Sequence, residues 1–252
     1  MGKSPSLFPC SPSIYAGNEE MQMEKLSEYS DLMRSREHMY RFLGRLYRVE
    51  VDGDLLNQMQ GMSFPAESSD AELSKGYRML EEYLHKPWGD PVTDLAVDFA
   101  RVFLGAGIIN AYAAYPYESV YTSPERLVMQ DARDQVVALY RSKGLDISAA
   151  LDFPEDHISL ELEFMAHLCL EVQKALAVQD LSAVSACLKE QVNFLLQHLL
   201  NWVPAFCADV EKHAETSFYK GAAQITESYL RLDRILLEDL VAEIDAGGLR
   251  TD

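Results

Sequence analysis

The sequence predicts an all-α protein: a single helical domain whose helices pack in two loosely defined halves. Apolar residues recur at intervals of three and four along most of the chain, which is the period of a helix with one buried face. No segment shows the sustained alternation of apolar and polar residues that marks a strand. No repeat of fixed period occurs, which argues against a solenoid. From the start and stop signals we expect roughly nine to eleven helices.

The first half of the chain opens with a segment unlike the rest. Residues 1–22 are rich in Ser, Pro and Gly, so we expect a flexible N-terminal extension. An all-helical domain is predicted over 23–246, and its first helix carries a buried apolar stripe that reaches Tyr47. Glycines, prolines and aspartates then separate further helices at about 54–60, 70–84 and 91–104.

A long irregular connection at 105–123 separates the two halves. It opens on Gly105, which ends the preceding helix, and it contains Pro116 and several tyrosines. Connections of this length inside a compact domain are usually functional or disordered. We therefore expect this loop to carry part of a site.

The second half is predicted to begin with a helix at Ser123-Pro124-Glu125. These residues are typical of a cap, a first-turn proline and an acid that complements the helix dipole. Asp152 and Pro154 predict the next helix start in the same way. The remaining segments are helices at about 155–178, from about 181 to an interruption at Pro204, and at 217–244, followed by a C-terminal tail at 247–252.

The composition excludes several classes of function. With 40 acidic against 22 basic residues the formal charge is −18, which repels nucleic acid and anionic lipid and attracts cationic partners. The apolar runs are far shorter than a membrane span, so no stable membrane insertion is expected. The four cysteines are scattered without a Cys-x-x-Cys pair, which fits free thiols in a reducing cytoplasm.

The most informative motif is Pro154-Glu155-Asp156-His157, at the start of the predicted 155–178 helix. Carboxylates in a first helical turn are held rigidly, and a fixed carboxylate can bind an arginine guanidinium through two hydrogen bonds. His157 would add a hydrogen bond or a charge that depends on pH. The alternative is purely structural, because acids at this position also complement the positive end of a helix.

A second candidate lies in the central loop, at Pro116-Tyr117-Glu118-Ser119 and Tyr121. Tyrosine offers rigid contact area with a polar tip and is common at recognition surfaces. Pro116 stiffens the backbone, so its neighbours are presented at little cost in entropy. The alternative is a loop whose rings pack inward over the core. Two acidic segments flanked by aromatic residues indicate capture of a basic, partly apolar peptide.

Catalysis and metal binding find little support in the sequence. His157 and Glu161 are four residues apart, as are Glu163 and His167, but the two pairs point to different faces of the predicted helix. There is no Gly-x-Ser-x-Gly elbow, phosphate-binding loop or activated cysteine. We therefore assign no catalytic residue, no metal site and no cofactor, and predict that the chain is not an enzyme.

At these residues the chain resembles the TorD/DmsD/NarJ family of cytoplasmic chaperones, which mature redox enzymes exported by the twin-arginine pathway. The order and rough spacing of the shared motifs agree over about residues 35–240. The motifs similar to those of the family are the loop with Pro, an aromatic residue and Ser-Val-Tyr at 116–121, Pro-x-Asp-His at 154–157, Glu-Phe-Met at 163–165, His-Leu…Trp-x-Pro at 198–204 and Phe-Tyr at 218–219.

The resemblance implies an all-helical fold that binds a twin-arginine leader peptide, or the apo form of the molybdopterin oxidoreductase that carries it. The client would be of the dimethyl-sulfoxide or trimethylamine-oxide reductase type, held in the cytoplasm for folding and cofactor insertion before export. Taken with the residue patterns above, the predicted peptide-binding residues are Asp156, His157, Pro154, Glu155, Pro116, Tyr117, Glu118, Ser119 and Tyr121.

Two other functions stay open at this point. One is a nucleotide- or molybdenum-cofactor-handling enzyme, which the acidic field opposes, and the other is a structural helical adaptor. The oligomeric state is open as well, because a helical protein with a long central loop could form a homodimer by exchanging helices.

Overall fold

A computed structural model describes residues 13–65, 67–86, 89–108, 113–145 and 152–248, with side chains from residue 21 onward. Within these residues there are ten α-helices and one π-helical turn, and no strand beyond an isolated bridge. The all-α prediction is confirmed. The helices are α1 (Ser13–Arg48), α2 (Gly53–Gln60), α3 (Ala71–Leu84), α4 (Pro91–Leu104), α5 (Glu118–Thr122), α6 (Asp131–Ser142), α7 (Ile158–Ala177), α8 (Leu181–Phe194), the π-helical turn (Leu195–Leu199), α9 (Leu200–His213) and α10 (Ser217–Asp245).

The long first and last helices organise the packing. α1 lies along α7, and α10 lies along α3 while also contacting α8 and α9. Helices from both sides of the central loop are thus paired, and their apolar side chains form one continuous buried cluster. Its largest members include Trp202, Tyr40, Tyr47, Tyr219 and Phe103. Removal of this apolar surface from water is the main favourable contribution to folding.

A buried ion pair joins α1 to α10 inside this core. The Arg36 guanidinium donates to the two carboxylate oxygens of Asp233 at 2.6 and 2.8 Å, and the Tyr40 hydroxyl donates to Asp233 at 2.5 Å. Each buried charge therefore has hydrogen-bonded partners, which offset its loss of hydration.

Two glycines allow α3 and α10 to approach closely. A Cβ placed on Gly221 would lie 2.8 Å from the carbonyl oxygen of Gly76, and a Cβ on Gly76 would lie 3.0 Å from the carbonyl oxygen of Gly221. These distances leave no room for a side chain at the crossing. The sequence shows both glycines inside predicted helices, but it does not show that they meet.

Several helix boundaries follow local signals. Asp52, Asp70 and Asp90 accept backbone N–H groups at the starts of α2, α3 and α4. Gly105 ends α4 in the left-handed conformation, with a φ of 76°. The helices predicted at 54–60, 70–84, 91–104 and 217–244 accordingly lie where the structure has α2, α3, α4 and α10.

The first helix begins earlier than predicted. α1 starts at Ser13, inside the 1–22 segment for which we expect a flexible extension, and residues 1–12 lie outside the described residues. Residues such as Glu19, Glu20 and Met21 favour a helix. The average composition of residues 1–22 hides this helix propensity, because the segment also contains many Ser and Pro residues. At 36 residues α1 is the longest helix, yet neither it nor any other described helix is long and apolar enough to cross a membrane.

The helix start predicted at Ser123-Pro124-Glu125 is wrong, because α6 begins only at Asp131. Arg126 and Met129 adopt left-handed backbone conformations, with φ of 52° and 58°, which interrupt any helix. Tertiary contacts hold this conformation: the Gln130 N–H donates to the Ser119 hydroxyl oxygen at 3.0 Å, and the Arg126 side chain binds Asp209. These contacts override the local start signal.

The start predicted for α7 is also wrong. α7 begins at Ile158, and its N-cap is His157 rather than Asp152. The residues before Ile158 pair with the central loop, which removes them from the helix.

The interruption predicted at Pro204 lies upstream of that residue. Pro204 is inside α9, and the break is the π-helical turn at Leu195–Leu199. Proline has no N–H to donate to the carbonyl four residues earlier. The helix changes register before it, where the Leu200 N–H donates to the Leu195 carbonyl, and this turn carries the buried His198.

Candidate functional site

The two candidate segments of the sequence meet in the structure. Tyr117 and His157 form an isolated antiparallel bridge. The Glu118 N–H donates to the Asp156 carbonyl at 3.0 Å, and the Ile158 N–H donates to the Pro116 carbonyl at 2.9 Å. These bonds fix the central loop against the start of α7. The short helix α5 begins at Glu118, directly after the bridge residue Tyr117.

Asp156 is fully buried and supports the start of α5 from outside that helix. Its Oδ2 accepts the Ser119 N–H at 2.8 Å, whereas Tyr117, the N-cap residue of α5, provides no side-chain acceptor. Its other oxygen, Oδ1, has no hydrogen-bond partner among the described residues. Burial raises the pKa of Asp156, with the bond from Ser119 acting in the opposite direction. Asp156 therefore offers no exposed surface to a peptide in this conformation.

His157 caps α7 and is buried as well. Its Nδ1 lies 3.1 Å from the Ser159 N–H donor and 2.8 Å from the Ser159 hydroxyl, and its ring contacts those of Tyr117 and Phe153. Burial lowers the pKa of His157 to about 3, and the positive charge of Arg48 adds to this effect. The imidazole is therefore neutral near pH 7, so the pH-dependent charge expected there from the sequence is absent at that pH.

Two further buried carboxylates lie beside Asp156. Glu118 Oε2 is 2.9 Å from His198 Nδ1, and Glu161 Oε2 accepts the Trp202 indole N–H at 3.0 Å. Burial raises the pKa of Glu161 well above its ordinary value, and the neighbouring Glu118 raises it further. The three carboxyl groups thus form an internal cluster that links α5, α7, the π-helical turn and α9.

The other predicted residues divide into buried and accessible ones. Pro116 and Ser119 are buried, and the Ser119 hydroxyl accepts the Gln130 N–H. Tyr117, Pro154 and Glu155 are partly exposed. Glu155 forms a bidentate ion pair with Arg133, which donates to its two carboxylate oxygens at 2.5 and 2.8 Å. These hydrogen bonds lower the pKa of the Glu155 carboxyl.

Tyr121 belongs to a separate contact on α9. Its hydroxyl donates to Asp209 at 3.2 Å, and its ring stacks on Trp202 with 5.6 Å between centroids. Arg126 donates to the same Asp209 oxygen at 3.2 Å and lies 5.3 Å from the centre of the Tyr121 ring.

A surface cleft of about 390 Å³ adjoins the buried cluster. It lies between α6, α7, α8 and the π-helical turn, and its walls include Leu139, Phe164, Phe194 and His198. His198 lines this cleft and also contacts Glu118 of the central loop, so one side chain connects the cleft to the loop. Across the described ranges, no group of three or more His, Cys, Asp or Glu residues could hold a metal ion.

Sequence reasoning missed four residues of this arrangement. Glu161 enters the sequence analysis only as a metal partner for His157, although it lies at helical spacing between the apolar residues Ile158 and Met165, which favours an inward position. His198 and Trp202 lie within the motif at 198–204 that carries the family resemblance. Asp209 has no local signal, because its role depends on a contact with a residue 83 positions earlier.

Comparison with known proteins places these segments in a shared family. The family described as nitrate reductase delta subunit matches residues 66–208, which include both halves of the site. Chaperone protein TorD of Vibrio cholerae serotype O1 (strain ATCC 39541) is 28% identical over 224 residues, covering 86% of this chain and 99% of that protein. Chaperone protein TorD of Shewanella pealeana is 26% identical over 223 residues, covering 84% of this chain and 93% of that protein.

These relatives are named as chaperones rather than enzymes, which supports the prediction that this chain is not an enzyme. The family match covers more than half of the chain and includes the motifs of the resemblance at 116–121, 154–157, 163–165 and 198–204. The chain belongs to the nitrate reductase delta subunit family, and its predicted kinship with the TorD and NarJ chaperones is confirmed.

Proposed function

We propose that this protein is a chaperone for molybdoenzyme maturation that binds the twin-arginine leader peptide of its client, the apo form of the client, or both. The client is a molybdopterin oxidoreductase of the dimethyl-sulfoxide or trimethylamine-oxide reductase type. Binding takes place in the cytoplasm and guides folding and cofactor insertion before export. The observation that carries the proposal is the pairing of residues 116–118 with 156–158, which joins the two predicted peptide-binding segments.

Eight of the nine predicted residues take two different parts in this proposal, and Tyr121 lies in the separate contact on α9. The buried ones, which include Asp156, Glu118 and Ser119, fix the backbone of the central loop and thereby position the surface. The partly exposed Tyr117, Pro154 and Glu155 provide that surface and would contact the leader. A preorganised loop binds with a smaller loss of conformational entropy than a mobile one.

The chemistry of a twin-arginine leader suits these groups. Glu155 already holds a guanidinium of the chain itself, so its position and orientation fit an arginine side chain. Tyr117, whose ring packs against His157, offers an aromatic face on the paired segment. The apolar stretch after the arginines would occupy the cleft lined by Leu139, Phe164 and Phe194. The net charge of −18 speeds the encounter with such a cationic peptide.

The test is a calorimetric titration with a synthetic peptide that has two adjacent arginines followed by an apolar stretch. We expect the peptide to bind, and its affinity to fall at least about tenfold when both arginines are replaced by lysine, because lysine cannot form a bidentate pair with a carboxylate. Equal affinity for the two peptides would remove arginine recognition from the proposal.

Glu155→Gln tests the location of the site. We expect it to weaken the arginine peptide by about three- to tenfold, since a charge-assisted pair becomes a neutral one. Glu238→Gln is the matched control: Glu238 also pairs with an arginine, Arg234, but on the exposed face of α10. The same loss in both variants would indicate a general effect of charge and would exclude Glu155 as a contact.

A further inference from the structure

A small pocket on α9 combines a carboxylate with a fixed aromatic ring. The Tyr121 ring stacks on Trp202, and the Tyr121 hydroxyl donates to Asp209 at 3.2 Å. Trp202 is held in turn, because its indole N–H donates to the buried Glu161 at 3.0 Å. The ring and the carboxylate therefore keep one relative orientation without help from a ligand.

The guanidinium of Arg126 occupies this pocket. It donates to Asp209 at 3.2 Å and lies 5.3 Å from the centre of the Tyr121 ring. A carboxylate together with an aromatic face is the environment that a planar guanidinium prefers, because it can stack and donate at once. The side chain of Asp209 keeps about 25% of its surface exposed, so a partner can reach it.

The segment that delivers Arg126 has an unfavourable backbone conformation and exposed apolar side chains. Its backbone is left-handed at Arg126 and again at Met129, a conformation that is unfavourable for residues other than glycine. Between them Leu127 and Val128 expose 55% and 43% of their surface, and Met129 exposes 57%. This segment is held by the Arg126 side-chain contacts, by the Gln130 N–H to Ser119 bond, and by the Arg126 and Leu127 N–H groups, which donate to Ser123.

We infer that Asp209 and Tyr121 form an arginine-binding site that Arg126 of the same chain fills until an arginine of a bound partner displaces it. The inference rests on the proposed function for its natural ligand, and it adds Asp209 to the residues that bind the leader. Displacement exchanges one guanidinium for another, so the contacts in the pocket are conserved. Displacement also removes one of the restraints on the unfavourable left-handed backbone at Arg126, which favours the exchange.

The first test compares Arg126→Ala with Arg234→Ala in calorimetric titrations with the peptide of two adjacent arginines and an apolar stretch. Both variants lose one positive charge, but Arg234 pairs with Glu238 on α10, away from the pocket. We expect Arg126→Ala to bind the peptide about three- to tenfold more tightly than Arg234→Ala, since it no longer competes. Adding Asp209→Asn to Arg126→Ala should abolish this gain. Equal affinities of the two single variants would overturn the inference.

The second test does not depend on a leader peptide. In a Trp88→Phe background the fluorescence of Trp202 reports on the ring next to it. N-acetylarginine amide should change this fluorescence in a saturable way in Arg126→Ala and at least about tenfold less effectively in wild type, while N-acetyllysine amide should not. Arg126→Gln replaces Arg126→Ala if the alanine variant does not fold. A saturable response to arginine amide with no peptide binding by any variant would contradict the proposed function alone. No response in the opened pocket would overturn the present inference alone.

Discussion

Glu118 and His198 form a buried contact of 2.9 Å between Oε2 and Nδ1, although 80 residues separate them in the sequence. Glu118 opens α5 in the central loop, and His198 lies in the π-helical turn and lines the adjoining cleft. The position of the loop and the shape of the cleft are therefore coupled through one pair of side chains.

Glu118→Ala should destabilise the protein by about 2–4 kcal/mol, because it leaves His198 buried without its partner and opens a cavity. Urea denaturation followed by circular dichroism measures this change. Glu125→Ala is the control, since Glu125 is an exposed carboxylate of the following loop and should change the stability by less than about 0.5 kcal/mol. A loss for Glu118→Ala no larger than that of the control would show that the buried contact does not stabilise the fold.

Asp156 should matter through its hydrogen bond to Ser119 rather than through its charge. Asp156→Ala removes the acceptor of the Ser119 N–H and should cost about 1–3 kcal/mol of stability, whereas Asp156→Asn keeps an acceptor and should cost less. Amide hydrogen exchange at Ser119 should accelerate in the alanine variant and remain slow in the asparagine variant. Equal exchange rates in the two variants would contradict this role.

The buried carboxyls make the stability dependent on pH in a defined direction. Burial raises the folded pKa of Asp156 and Glu161 above their ordinary values of 3.8 and 4.5. Between each ordinary value and the higher folded pKa, the folded protein binds more protons than the unfolded chain. The contribution of these groups to the free energy of unfolding is therefore greatest below about pH 4 and falls as the pH rises.

Glu161→Gln isolates this effect, because glutamine cannot ionise and still offers an oxygen to the Trp202 indole N–H. Urea denaturation at several values between about pH 5 and 8 should show a shallower fall in stability than in wild type, by up to about 1.4 kcal/mol per pH unit. Glu125→Gln serves as an exposed control and should keep the wild-type slope. A Glu161→Gln slope equal to that of wild type would show that Glu161 ionises at the same pH in the folded and unfolded chains.

Gly221→Ala should destabilise the crossing of α3 and α10. The added methyl would lie 2.8 Å from the Gly76 carbonyl oxygen, so the helices must separate, at a cost of about 1–3 kcal/mol despite the higher helix propensity of alanine. Gly53→Ala is the control, because nothing lies within 4 Å of its added Cβ. Thermal unfolding should show a lower midpoint for Gly221→Ala only, and equal midpoints would mean that the helices accommodate the methyl.

The fold could be predicted from the sequence wherever the deciding contacts are local. The cap at Asp70, the proline at position 91 and the left-handed Gly105 act within a few residues of themselves, so α3 and α4 were placed correctly. The start of α6 was misplaced because Gln130 and Arg126 are held by residues that lie elsewhere in the chain.

The candidate site was predictable in part for the same reason. The motifs at 116–121 and 154–157 were identified from residue types and from the family resemblance, and the structure brings them together. The burial of Asp156 and Glu118 could not be predicted, because it follows from the pairing of two segments that lie far apart in the sequence. Local patterns show that a carboxylate is present but not which way the completed fold turns it.

The pairing of α3 with α10 has a consequence for biosynthesis. The surface of α3 that contacts α10 stays uncovered until residues near the C-terminus have left the ribosome. The nascent chain therefore exposes this surface of α3 until α10 is synthesised, and protease digestion of stalled chains should find α3 cleavable until Ser217–Asp245 has emerged. A protein that we propose shields unfinished clients is thus itself vulnerable until α10 has been synthesised.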